Sequence, residues 1–143
     1  MSVPRVSPQQ AQQLCAEGYQ YVDVRSELEF AEGRPAGSVN VPIMRMGIMG
    51  MRPNPKFLEH MQALFATDAK LVVGCKAGGR SLRAAQMLIQ AGFTDVIDQR
   101  AGFSGARTPT GEIEAGWGPA GLPTESGDPR AAGYSAIVKN GLP

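Results

Sequence analysis

Short apolar runs alternate with stretches of helical period along the first two thirds of the chain, and each change of period carries a capping residue, a glycine or a proline. Ser7 followed by Pro8 predicts a helix start, with Gln10, Ala11, Leu14 and Cys15 at helical spacing and Gly18 as its stop. Tyr21-Val22-Asp23-Val24 predicts a strand. Ser26 with Glu29 forms a capping-box pattern that opens a short helix ending by Gly33, and Ser38-Val39-Asn40-Val41 predicts a short strand closed by Pro42. Asn54-Pro55 repeats the cap-then-proline signal for a helix through about Phe65. Leu71-Val72-Val73 has the apolar character of a buried parallel strand, Ser81 to Ala91 places Leu82, Ala85, Leu88 and Ile89 on one helix face before Gly92, and Asp95-Val96-Ile97 is the last clear strand. Strand and helix alternate, which predicts βα units: an α/β fold with a central, mostly parallel sheet flanked by helices.

Two segments break this rhythm. Residues 43–52 hold four of the seven methionines and two glycines, so the segment is expected as a loop, one that packs over the core or else forms a pliable apolar lip for an acceptor protein. Residues 101–143 hold 9 of the 18 glycines and 5 of the 11 prolines, which places the end of the packed domain near Ala106. The expected organisation is a domain over residues 1–107 and an irregular Gly/Pro-rich C-terminal extension over residues 108–143, with Trp117 as its packing anchor and Tyr134 to Val138 as a second docking segment.

The chain of 143 residues is long enough for one domain with a real core, and 43% hydrophobic with 19% charged residues is an ordinary globular balance. Lys+Arg 14 against Asp+Glu 13 gives a net charge of +1, so no nucleic-acid partner is expected. No apolar run approaches the roughly 20 residues that cross a bilayer, and the N-terminal residues carry no signal-peptide stretch, so a cytoplasmic protein without a membrane partner is expected. In such a reducing compartment Cys15 and Cys75 are expected as free thiols.

The chemistry concentrates in Leu71-Val72-Val73-Gly74-Cys75-Lys76-Ala77-Gly78-Gly79-Arg80-Ser81: a strand, a Gly-rich turn and a helix start. Ligands of parallel sheets sit at the carboxyl ends of strands, where such a turn lies. Gly78 and Gly79 let successive N–H groups point inward, and the helix opening at Ser81 adds unpaired donors and a positive dipole end. The turn is therefore an anion cradle. A cysteine at its rim gains thiolate character, and Lys76 and Arg80 add positive charge, so Cys75 is the candidate nucleophile. Cys15 lies on the apolar face of the first helix without such neighbours and is assigned to packing. Asp23 and Arg25, at a strand end, are expected as an ion pair that organises the site. Arg83 is either a weaker anion contact or a solvated helix face, and the single His60 is expected at the surface. Two distant cysteines and one histidine give no ligand cluster, so no metal and no cofactor are expected.

These residues resemble the single-domain rhodaneses, the sulfurtransferase family. Cys75-Lys76-Ala77-Gly78-Gly79-Arg80 is similar to the family's six-residue active-site loop, and Tyr21-Val22-Asp23-Val24-Arg25 to its strand ending in Asp-Val-Arg. Glu29-Phe30 and Gly33 to Pro42 resemble its Glu-Phe and Gly-His-Ile-Pro-Gly-Ala, Asn-Val-Pro segments, and Ala91-Gly92-Phe93 and Ala101-Gly102-Phe103 its later landmarks. The likeness covers about residues 4 to 107. It departs at Arg34-Pro35-Ala36, where the family has His-Ile-Pro, and at Ala101, where its Gly-Gly pair begins. The resemblance implies a rhodanese-like fold and a thiosulfate sulfurtransferase. Cys75 thiolate would take the sulfane sulfur of thiosulfate, release sulfite, and pass the sulfur from a Cys75 persulfide to cyanide or a thiol. Lys76, Ala77, Gly78, Gly79 and Arg80 would bind the transferred sulfur and its donor, supported by Asp23, Arg25 and Ser81, with no general base needed.

Two other readings use the same cysteine. A persulfide relay would exchange sulfur with a protein donor or acceptor rather than a small molecule. A thiol-dependent phosphatase or arsenate reductase would also hold an anion between Cys and Arg, but such enzymes place five residues between them, and four stand here, Lys76 to Gly79. The smaller ring suits a sulfur atom better than a tetrahedral phosphate.

Overall fold

A computed structural model describes residues 2–143. In chain order the elements are β1 Arg5–Val6, α1 Pro8–Ala16, β2 Gln20–Asp23, α2 Glu27–Glu32, β3 Arg34–Pro35, β4 Val39–Asn40, β5 Met44–Gly47, β6 Gly50–Pro53, α3 Phe57–Leu64, β7 Leu71–Gly74, α4 Gly79–Gln90, β8 Val96–Gln99, β9 Gly105–Arg107, β10 Ile113–Ala115, β11 Thr124–Glu125 and α5 Tyr134–Asn140, with a 3₁₀ turn at Arg130–Ala132 before α5. Five strands form one sheet in the order β1-β8-β7-β2-β4, and every pairing in it is parallel.

Strand alternation divides the core between the two faces of this sheet. Val22, Leu71 and Val73 point to the face covered by Phe57 and Met61 of α3, Ala84, Ala85 and Leu88 of α4, and Tyr134 and Ile137 of α5. Tyr21 and Val72 point the other way, toward Ala11 of α1 and Trp117. The architecture is the α/β layering that the alternation of periods predicts. Among the described residues no helix is long and apolar enough to cross a membrane.

The capping signals act where the sequence places them. Ser7 and Ser26 each accept a hydrogen bond from the amide three residues on, and their own backbone amides donate to the side-chain oxygens of Gln10 and Glu29, completing two capping boxes. Asn54 differs: its Oδ1 accepts from Lys56 N at 3.1 Å in a tight turn, and α3 opens later, at Phe57. The helix after the Gly-rich turn opens at Gly79 rather than Ser81, because Gly78 in the left-handed region (φ 96°) serves as its cap.

The Met-rich segment is not a loop lying over the core. It is the hairpin β5–β6, with Met46 paired to Met51 and Ile48-Met49 at the turn, and only its base is packed, through Ile43 and Met44. Met46, Ile48 and Met49 stand in solvent. Glycines at positions 47 and 50 flank a two-residue turn, which is a hairpin arrangement as readily as a loop one.

The residues after 107 carry structure too. β10 pairs with β9, β11 pairs with β3, and α5 docks on the main core. Trp117 is buried, stacks edge-on against Tyr21 with ring centroids 5.4 Å apart, and donates its indole N–H to Pro123 O at 2.7 Å. His60 is only half-buried rather than free at the surface, because its Nδ1 lies 2.6 Å from the Tyr134 hydroxyl on α5.

Candidate active site

Parallel strands that share one direction bring their carboxyl ends together, and here those ends carry Asp23, Asn40, Cys75 and Gln99. Cys75 follows β7 directly and is 2% exposed. The chain then turns through exposed Lys76 and Ala77 to Gly78, whose amide donates to Cys75 Sγ at 3.1 Å. Ser81, in the first turn of α4, places its hydroxyl 3.4 Å from the same sulfur and 3.3 Å from Gly78 O. The sulfur thus sits at the N-terminus of a 12-residue helix, held by one amide and one hydroxyl, where the helix dipole favours a negative charge.

A second loop fixes this turn from behind. Phe103 N donates to Cys75 O at 2.7 Å and Ser104 N to Lys76 O at 3.0 Å. Gln99, fully buried, accepts from the amides of Ala101 and Gly102 and donates to Gly102 O, which shapes the loop for that task. The approach is so close that a Cβ at Gly102 would run into Lys76 O, and one at Gly78 into Arg100 O. Gly79 is different: a Cβ there meets nothing within 4 Å.

Asp23 and Arg25 form the expected ion pair. Arg25 Nε donates to both carboxylate oxygens at 3.0 and 3.1 Å and its terminal nitrogen to Oδ2 at 2.7 Å, with both side chains buried. Burial pushes the Asp23 carboxyl up, and the Arg25 guanidinium pulls against it. Arg25 also donates to Gly33 O and lies 4.6 Å from the centre of the Phe103 ring, so it ties α2 to the loop behind Cys75. Arg25, Glu29, Glu32, Gly33, Lys76, Phe103 and Ser104 line a cleft of about 310 Å³ beside the cradle.

Arg80 is not left free over that cleft. Its two terminal nitrogens donate to the two oxygens of Glu29 at 2.7 and 3.0 Å. The Arg80 hydrogen bonds hold the Glu29 carboxyl down at about 2, and Glu29 in turn raises Arg80. Arg83 lies on the exposed face of α4, and among the described residues it has no ion-pair partner. Cys15 is half-buried against the second core, and desolvation raises its thiol.

Sequence reasoning names Glu29 as a helix cap and, with Phe103, as a landmark of the family likeness but gives neither a place at the site, and it misses Arg5, Asp98 and Gln99. Arg5 Nε donates to the buried Asp98 at 2.7 Å and a terminal nitrogen of Arg5 to Gly78 O at 3.3 Å, bracing the turn through β1, a strand too short to show a period. For Glu29 and Arg80, 51 positions apart, no local pattern announces the pairing. Gly102 and Phe103 had a signal only in the Ala-Gly-Phe likeness. Among the described residues no group of three or more His, Cys, Asp or Glu side chains could hold a metal ion.

Comparison with known proteins matches residues 7–107 to the rhodanese-like domain family. The chain is 40% identical to "Thiosulfate sulfurtransferase 16, chloroplastic" of Arabidopsis thaliana over 121 residues, covering 85% of this chain and 92% of that protein. It is 35% identical to "Thiosulfate sulfurtransferase GlpE" of Pseudomonas paraeruginosa, covering 77% of this chain and 94% of that one. Among solved structures, Rv0390 from M. tuberculosis superposes with a TM-score of 0.73 at 26% identity, over 89% of this chain and all of that one. With the parallel sheet, the cysteine turn at its carboxyl edge and these relatives in agreement, the chain belongs to the rhodanese-like sulfurtransferase family.

Proposed function

We propose that this chain is a sulfurtransferase that carries sulfane sulfur on Cys75. The observation that supports it most directly is a buried cysteine sulfur accepting the Gly78 amide at 3.1 Å at the mouth of a four-residue ring between Cys75 and Arg80. A thiolate there attacks the outer sulfur of thiosulfate or a related donor. The Sγ–S bond forms, the donor's S–S bond breaks, and sulfite leaves with the bonding pair. The same amide and the α4 N-terminus then face the negative charge of the persulfide. Cyanide or a thiol attacks the terminal sulfur, and the electrons of the broken S–S bond return to Cys75 as thiolate, closing a ping-pong cycle. Because the nucleophile starts and ends as thiolate, the cycle needs no histidine. A reducing, cytoplasmic setting suits the two free thiols.

Intact mass spectrometry of the wild type and Cys75→Ser, before and after thiosulfate or a small-molecule persulfide and again after cyanide, tests the reading. The expected result is one added sulfur that requires Cys75 and disappears with cyanide. Sulfur gained by the serine variant, or none gained by the wild type from either donor, overturns it.

A further inference from the structure

We propose a second binding site, remote from Cys75: the cleft between β3 and residues 125–132 takes a free α-amino acid with an apolar side chain, its carboxylate on Arg34 and Arg130 and its ammonium on Glu125 and Asp128.

Cys75 lies at the carboxyl ends of the sheet strands. This cleft, of about 720 Å³, is lined instead by Gln20, which opens β2, and Ser38, which precedes β4, so it belongs to the opposite end. Arg34 lines it from below and is 5% exposed. Its hydrogen bonds leave from one nitrogen: Nη1 donates to Phe30 O at 3.1 Å and to Gly127 O at 2.8 Å. Its Nε is buried without an acceptor. The Glu125 carboxylate stands 4.0 Å away, too far for a hydrogen bond; it is half-exposed, and its other contact is the Gly37 amide at 3.4 Å. A buried donor left without an acceptor is costly, and a ligand carboxylate that turns Glu125 outward supplies one.

Arg130 lines the same cleft, and among the described residues its guanidinium has no ion-pair partner. Its backbone holds φ at 54°, the one positive value among the described non-glycine residues, with Asp128 Oδ1 accepting from its amide at 2.9 Å. Backbone strain of this kind collects at ligand clamps. Two arginines and two carboxylates on one cleft suit a ligand with one charge of each sign better than a bare anion. Because Arg34 Nε and Glu125 Oε1 are only 4.0 Å apart, the ligand's charges must also be close together, as they are in an α-amino acid. Val39, Pro129 and Ala131 give its side chain an apolar wall. Neither arginine belongs to the rhodanese likeness: Arg34 stands where the family has histidine, and Arg130 lies beyond the matched residues 7–107.

Titration calorimetry and amide NMR shifts of the full chain test the proposal with three matched probes: L-leucine, 4-methylpentanoate, which is leucine without its ammonium, and 3-methylbutylamine, which is leucine without its carboxylate. Leucine should bind with a dissociation constant of about 1 mM or tighter, and each truncated probe about tenfold or more weakly. The shifts should fall on residues 34–39 and 125–132. Arg130→Gly removes the guanidinium while tolerating the positive φ, and Glu125→Gln removes a half-exposed charge; each should weaken leucine about tenfold. Both changes are at the surface of the cleft, so neither depends on the buried Arg34 surviving substitution. No leucine binding at about 10 mM, equal binding of either truncated probe, shifts confined to the Cys75 turn, or an unchanged affinity in either variant overturns the proposal. Sulfur loading of Cys75 plays no part in these readouts, so this site and the sulfur-transfer reading fail separately.

Discussion

Replacing Gly78 with alanine separates two glycines that look equivalent in the sequence. Gly78 holds φ at 96° as the cap of α4, a conformation that disfavours an L side chain by about 1–2 kcal/mol. Its added Cβ would also strike the Arg100 carbonyl, so the turn has to move. What moves with it is the amide that reaches Cys75 Sγ, and a hydrogen bond to a charged acceptor contributes about 1.5–3 kcal/mol. Gly78→Ala should therefore lower the melting temperature by about 5 °C and slow sulfur loading of Cys75 by about 10- to 100-fold. Gly79→Ala should do neither. At position 79 a Cβ meets open space in the first turn of α4, and alanine is favoured over glycine in a helix by about 0.5–1 kcal/mol. Rapid-quench intact mass analysis gives the loading rate, and calorimetry gives the stability. If Gly78→Ala loads at the wild-type rate, or if the two variants behave alike, the role given to the Gly78 amide is wrong.

Three further outcomes follow from the same geometry. Glu29 is held at about 2 against an ordinary 4.5, so its pairing stabilises the fold fully above about pH 4.5 and that contribution is lost as the pH falls toward 2. Arg80→Ala should cost about 1–2 kcal/mol at pH 7, allowing for the partial exposure of the pair, and urea unfolding should show the deficit closing in acid. Arg25→Ala strands the buried Asp23 carboxylate and should cost about 3–5 kcal/mol at neutral pH. Because burial raises Asp23, that loss should shrink as the pH falls through its folded value and the carboxyl takes up a proton, the reverse of a simple acid denaturation. Trp117→Ala removes a buried ring stacked on Tyr21 and should cost about 3–5 kcal/mol by chemical unfolding; an unchanged midpoint would mean that residues beyond 107 contribute no core.

How far the sequence reaches depends on the distance over which each cause acts. Capping boxes at Ser7 and Ser26 and the apolar run at 71–73 are local, and they place their elements to within a residue or two. The cysteine turn is legible for the same reason, since strand, glycine and helix start are neighbours in the chain. Of the two-residue strands, β4 lies inside the apolar alternation of residues 38–41 and can be read from it, whereas β1, β3 and β11 have no such run and stay hidden until their partners fix them. In the Met-rich segment, Met44, Met46, Met49 and Met51 fit a packed loop as well as they fit a hairpin, and the pairing of Met46 with Met51 decides between them. In the tail, glycines and prolines hide the short strands β10 and β11, while the apolar residues Trp117, Tyr134 and Ile137 stand out against that composition as docking points and are buried.

The ion pairs around Cys75 explain why a site can be legible in its central cysteine and silent in its electrostatics. Cys75 is placed by a turn whose signals lie within a few residues of one another. Its electrostatics are set by carboxylates delivered from other elements: Asp23 from β2, Glu29 from α2 and Asp98 from β8. Glu29 links the two levels, because the capping box that starts α2 fixes the rotamer that presents its carboxylate to Arg80. A glutamate at that cap position is explained locally by the helix alone. Only the fold reveals that the same carboxylate takes both terminal nitrogens of an arginine in the cysteine turn.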